Sequence, residues 1–147
     1  MISGPPIVRD ERSEQFFDSA ANNQLVIKRC CSCSHWLGIE AHTCSICGSL
    51  DLKWCSASGV GKLITWSIVH SIQHPAFANQ LPFPIGYVEL AEGPWISTRI
   101  VNVGRDELRT GLPLLAHFIH PGPGMGESYP VFGPASREHD AFAMSRN

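Results

Sequence analysis

The chain has 147 residues, of which 44% are hydrophobic, and a formal net charge of -2. That length suits one ordinary domain or two very small ones, and that apolar content supports a packed core and excludes wholesale disorder. The near-neutral charge argues against a nucleic-acid binder, which needs clustered Lys and Arg to follow phosphates.

The opening stretch, MISGPPIVRDERSE, has no apolar run behind a basic flank, so no signal peptide is expected. No stretch approaches the roughly 18 apolar residues of a membrane span. A cytoplasmic protein is the expectation. In that reducing compartment clustered cysteines read as metal ligands, not disulfides. Arg9 to Asn22, RDERSEQFFDSAAN, predicts an amphipathic helix with Asp10 as N-cap and with Phe16, Phe17 and Ala20 on one side. A helix this short needs a surface to rest on, whether it seals the core or docks a partner. QLVIKRC then reads as a short strand.

Five of the six cysteines fall between Arg29 and Ser49. Cys30 and Cys33 form one CxxC and Cys44 and Cys47 a second. Each CxxC wraps a tight turn around a cation, and two such turns facing each other supply four thiolates in a tetrahedron. A closed four-sulfur set leaves no position open for substrate, so the site reads as a structural zinc ribbon. Iron in the same cage is the alternative. After the second pair, Gly48 suits the positive φ that such a turn needs; Ser34, its counterpart, suits it less well. Cys31 lies between the ligands of the first turn and should face outward. Cys55 reads as a small buried apolar side chain. His42 is a weaker substitute ligand.

From Gly61 the pattern changes. KLITWSIVH alternates, with Ile64, Trp66 and Ile68 on one face. PIGYVEL, WISTRIVNV, LPLLAHFIH and SYPVFGPA follow, with EGP as a turn between the first two and Gly111 as a break before LPLLAHFIH. Five short β segments with a single helix at the start predict a mainly β chain ending in a five-stranded OB-fold barrel. The tail, Ser136 to Asn147, lacks strand signals.

Two loops stand out. HSIQHPAFANQLPFP, His70 to Pro84, holds Phe77 and Phe83; exposed rings there must cover the barrel mouth or meet a partner. HPGPGMGESYP, His120 to Pro130, is a flexible connector or a close approach to a ligand. Glu89 and Glu92 flank a turn and read as a solvated edge. His70, His74, His117 and His120 include possible general bases, but no motif sets a nucleophile or carboxylate beside them. No dinucleotide fingerprint, nucleophile elbow, P-loop or HExxH is present. No catalytic residue is assigned.

The two CxxC pairs, CGS at Cys47 to Ser49, Trp54, SGVG at Ser58 to Gly61, WSIVH at Trp66 to His70 and PFPIGYVELAEG at Pro82 to Gly93 together resemble one family. It is the acyl-CoA-associated family with a rubredoxin-like zinc ribbon plus OB-fold, formerly a domain of unknown function. The match runs from about Phe16 to Phe132. The chain departs from the family pattern at Ala41 and His42, and at the missing glycine of the first turn; neither change removes a metal ligand. The resemblance implies four segments: a helical one over 1–24, the ribbon over 25–57, the barrel over 58–135 and a tail over 136–147. It implies structural zinc on Cys30, Cys33, Cys44 and Cys47, and acyl-CoA as ligand. It also implies an accessory role, not catalysis by this chain alone, in an oligomer with a thiolase-like enzyme, an aldolase or a hotdog-fold hydratase, completing its CoA channel.

On that reading Phe77, Phe83 and Arg99 are the candidate contacts to acyl-CoA or partner. Arg99 sits mid-strand in WISTRIV, and points either at such a phosphate or partner or simply into solvent. The barrel carries Lys62, Arg99, Arg105 and Arg109 against five carboxylates, compatible with one or two phosphate contacts but not with a basic stripe. The competing function is single-stranded nucleic-acid binding, with Trp66, Tyr87 and Trp95 stacking on bases.

Overall fold

The computed structural model describes residues 13–70 and 82–135. A short helix, α1 (Glu14–Ala21), leads into β1 (Val26–Cys30), β2 (Trp36–Leu37) and β3 (Leu52–Ser56). Then come β4 (Val60–Val69), β5 (Phe83–Leu90), β6 (Trp95–Arg99), β7 (Pro113–Ile119) and β8 (Tyr129–Pro134).

The N-cap of α1 is Ser13, not Asp10, which lies outside the described residues. The helix ends in a reciprocal pair of backbone bonds. Gln24 N–H donates to Ser19 O at 2.9 Å and Asn23 N–H to Ala20 O at 3.0 Å. This closure needs a left-handed residue after the cap; Asn23 supplies it, at φ 59°. With only two turns the helix is marginal alone. It is held by burying Phe16 and Ala20, and the Phe16 ring meets Phe17 edge-on at 5.3 Å and Trp54 at 6.1 Å. Burying a ring of that size contributes roughly 1.5–3 kcal/mol.

β2, β1 and β3 form a three-stranded antiparallel sheet in that order. Two-residue β2 is too short to leave an alternation in the sequence. The other five strands form one sheet ordered β6-β5-β4-β7-β8, with antiparallel neighbours throughout. The sheet curls until its edges meet: Ile100 bridges Phe132 in parallel, and Val101 N–H donates to Phe132 O at 2.8 Å. This is the five-stranded OB arrangement predicted from the alternating segments.

The register shifts on β4 between Leu63 and Thr65. Because of that bulge, inward positions run Gly61 and Leu63, then Ile64, Trp66 and Ile68. The predicted alternation is correct from Ile64 onward. It misses Leu63, which is fully buried. Gly61 is obligatory for close strand approach: a Cβ there would lie 2.5 Å from Val88 Cγ1 and 2.8 Å from Glu89 O.

One continuous core joins the helix and the first sheet to the barrel. Phe16, Leu25, Val26, Ile27 and Ala57 pack in the same cluster as Leu63, Val88, Ile96, Leu114 and Phe132. A second, small cluster of Cys30, Leu37 and Cys44, with Ala41 and Leu52 against it, lies beneath the two CxxC turns. Among the described residues no helix is long and apolar enough to cross a membrane.

Candidate functional site

The two CxxC turns repeat the same local geometry. In the first, Ser34 N–H donates to Cys30 O at 3.0 Å and Cys30 N–H to His35 O at 2.9 Å. In the second, Gly48 N–H donates to Cys44 O at 2.8 Å and Cys44 N–H to Ser49 O at 2.9 Å. Both turns need a left-handed residue after the second cysteine: Ser34 has φ 67° and Gly48 φ 75°. The sequence expectation for these two positions holds.

Folding brings the four sulfurs of Cys30, Cys33, Cys44 and Cys47 within 4.8 Å of one another. Cys30 Sγ lies 3.6 Å from Cys47 Sγ, and Cys33 Sγ 3.5 Å from Cys44 Sγ. Sulfurs about 2.3 Å from a tetrahedral centre lie roughly 3.8 Å apart, so the cluster has the size of a four-thiolate cage. Sulfur–sulfur contacts this long are not disulfides. Backbone amides already point at the inner pair. Ser32 and Cys33 N–H donate to Cys30 Sγ at 3.3 and 3.4 Å, and Ile46 N–H to Cys44 Sγ at 3.4 Å.

The electrostatics follow from those bonds. The Cys33 N–H, ahead of the Ser32 N–H and the Cys47 thiol, pulls Cys30 down to about 6 against the cost of burial. The N–H of Cys47, then that of Ile46, likewise lowers Cys44. Cys33 goes up to about 12: the His35 N–H favours its thiolate, but burial and hydrogen bonds with the other sulfurs outweigh it. Cys47 is also raised, the Ser49 N–H being outweighed by its bond to Cys30 and by burial. Each short S···S contact therefore pairs one easily ionised sulfur with one that keeps its proton. A divalent cation fits where two shared protons otherwise sit.

Two cations brace the turns. Lys28 Nζ donates to Ala41 O at 2.6 Å, over the Trp54 ring at 5.1 Å. Arg29 Nε donates to Ser34 O at 2.8 Å, with its guanidinium 4.6 Å from the Trp36 ring centre. Cys31 is exposed, as expected, and desolvation followed by the Asp51 carboxylate raises its thiol, so it ionises less readily than a free cysteine. Cys55 is half-buried on β3, not fully buried. His42 is exposed and outside the sulfur cluster.

The candidate ligand contacts separate. Phe77 lies outside the described residues. Phe83 is not an exposed loop ring: it opens β5 and is 7% exposed, because the strand starts one residue earlier than the sequence suggested. Arg99 is not mid-strand. β6 stops there, and its guanidinium stacks on Phe83 at 3.8 Å from the ring centre. Three exposed apolar groups of the barrel, Ile85, Tyr87 and Trp95, instead gather on the outer face of β5 and β6, with Tyr87 and Trp95 rings 6.2 Å apart. A shallow groove of about 230 Å³ crosses that face, lined by Thr65, Trp66, Ser67, Ile85, Gly86, Tyr87 and Ser97. Trp66 also lines the groove but is half-buried and packs against the core, so it is not an exposed ring like Tyr87 and Trp95.

Two partnerships were not legible in the sequence. Glu92 is more than a solvated edge: its Oε2 accepts the Ser58 N–H at 2.8 Å, while its Oε1 is buried. His120 has partners from distant segments, Asn23 Oδ1 at 2.6 Å from Nε2 and Ser128 Oγ at 2.8 Å from Nδ1. It clasps the end of α1 to the loop before β8. Sequence separations of 34 and 97 residues explain why no local motif signalled either pairing.

Residues 54–118 match the family model described as ChsH2, C-terminal OB-fold domain. A probable enoyl-CoA hydratase alpha subunit of Thermomonospora curvata is 31% identical over 137 residues, 93% of this chain and 41% of the relative. A DUF35 domain-containing scaffold protein of Pyrococcus furiosus is 34% identical over 82 residues, 56% of this chain and 60% of the relative. The chain thus spans about half the length of these two relatives. Among solved structures, a chain of the Ltp2-ChsH2(DUF35) aldolase superposes with a TM-score of 0.75 at 30% identity, covering 87% of this chain and 98% of that one. A DUF35 protein of unknown function from Sulfolobus solfataricus shares the fold, with a TM-score of 0.53 at 13% identity.

Proposed function

Because the chain belongs to the DUF35 family, we propose that it is a non-catalytic accessory subunit of an acyl-CoA-processing enzyme. Residues 25–57 brace the molecule and residues 58–135 present the working surface. The partner is a thiolase-like enzyme, an aldolase or a hydratase, and this subunit completes its CoA channel in fatty-acid, polyketide or steroid side-chain metabolism. The supporting observation is the likeness to a chain of the Ltp2-ChsH2(DUF35) aldolase along nearly that chain's whole length. Names among the other relatives, a hydratase alpha subunit and a scaffold protein, point the same way.

In this reading zinc is held by Cys30, Cys33, Cys44 and Cys47, and its contribution is to lock the two turns rather than to touch substrate. Phe77, Phe83 and Arg99 remain the proposed acyl-CoA or partner contacts, Phe83 by supporting Arg99. The test is co-purification: the tagged chain, expressed in its native host, should bring down a thiolase-like, aldolase or hydratase protein, and CoA-thioester turnover should need both. A partner enzyme fully active without this chain would overturn the reading.

The exposed Tyr87 and Trp95 pair favours one second reading, single-stranded nucleic-acid binding. Of the cations near that face, Lys62 is however engaged with Glu89 at 3.4 Å, and Arg99 alone is too little to follow a phosphate backbone. A salt-sensitive gel shift with oligonucleotides would support that reading; no shift at low salt would end it.

A further inference from the structure

We propose that Arg99 and Tyr129 form a binding site for a small oxyanion, a phosphate or carboxylate group, at the seam where β6 meets β8. Arg99 closes β6 and Tyr129 opens β8. The two strands are joined by the parallel bridge from Ile100 to Phe132. Both side chains are half-buried. The Phe83 ring, itself buried, lies under the guanidinium, whose Cζ is 3.8 Å from the ring centre, and so occupies one face of it. A guanidinium held by its face keeps its edges, and their paired N–H donors, free for two oxygens of one anion.

Nothing in the described part of the chain uses those donors. Among the described residues no carboxylate forms an ion pair with Arg99, and neither its guanidinium nor the Tyr129 hydroxyl has a hydrogen-bond partner. By contrast Lys62, on the same sheet, has Glu89. A half-buried cation without a counter-charge carries an uncompensated desolvation cost, which a bound anion offsets. Desolvation lowers Arg99, opposed only by Tyr129, and raises Tyr129, opposed only by Arg99. Near neutral pH the pair therefore presents a cation and a phenolic O–H, both donors and no acceptor charge, which selects for an oxyanion.

The site stands on the geometry of the chain itself. It rests on the accessory-subunit reading only for which molecule carries the anion.

The experiment follows the Arg99 side-chain Nε–H of the full chain by NMR while inorganic phosphate, acetate or chloride is added at matched ionic strength. A saturable shift with phosphate alone identifies a phosphate ligand, and one with acetate alone a carboxylate; either supports the site. Arg99→Lys, which keeps the charge and loses the fork, should weaken binding about tenfold or more, and Tyr129→Phe several-fold. No saturable shift, a shift equally produced by chloride, or full affinity in both variants would overturn the proposal. Should Arg99→Lys fail to fold, the wild-type titration and Tyr129→Phe still decide. Partner capture without anion binding would sink this site and leave the accessory role standing; anion binding without capture would do the reverse.

Discussion

Ser34 holds a backbone conformation that costs an L side chain about 1–2 kcal/mol, at φ 67° in the first metal turn. The second turn has glycine at the matching place. Ser34→Gly should therefore raise stability, by about 0.5–1 kcal/mol, after the entropy that glycine returns to the unfolded chain. Thermal melts of the metal-loaded protein would show the gain, and an unchanged or lower melting temperature would contradict it. At this scale the sequence was most readable where spacing alone dictates chemistry. Four cysteines in two CxxC pairs announced their cluster, and the serine in place of glycine announced its strain. Arg99 was misplaced because strand ends are set by pairing partners: the next residue, Ile100, bridges to Phe132, more than thirty residues away.

Among elements, the strands of the barrel declared themselves by alternation, and the bulge on β4 did not. A register shift is a property of two strands, so Leu63 looked outward until Val88 was beside it. The same holds for the two glycine-containing motifs that carried the family resemblance. SGVG and VELAEG proved to be one contact: Ala91 N–H donates to Val60 O at 2.9 Å, and Glu92 reaches back to the Ser58 N–H at 2.8 Å. This contact fixes the entry into β4 against the β5–β6 turn. Glu92→Ala should destabilise the chain by about 1 kcal/mol, the net value of one hydrogen bond. It should also speed hydrogen exchange at Ser58 selectively; unchanged exchange there would show that the bond contributes nothing.

For the molecule as a whole, the four-sulfur cluster links metal content to pH. Metal and protons compete for the same sulfurs, so affinity falls as pH falls. Cys30, held down to about 6, and the lowered Cys44 are the last to take up protons. Bound zinc should be retained at neutral pH and released progressively on acidification. A chromogenic chelator would follow the release; a metal affinity unchanged by acidification would contradict the competition.

The shared core has a further consequence. Phe16 and Ile27, from before the second cysteine turn, and Leu114 and Phe132, from near the other end, pack as a single unit. A fragment beginning at Trp54, where the family match starts, would leave that interior open on one side. Cut away from helix and knuckles, such a fragment should melt at a lower temperature than the longer chain, because part of its interior would face water.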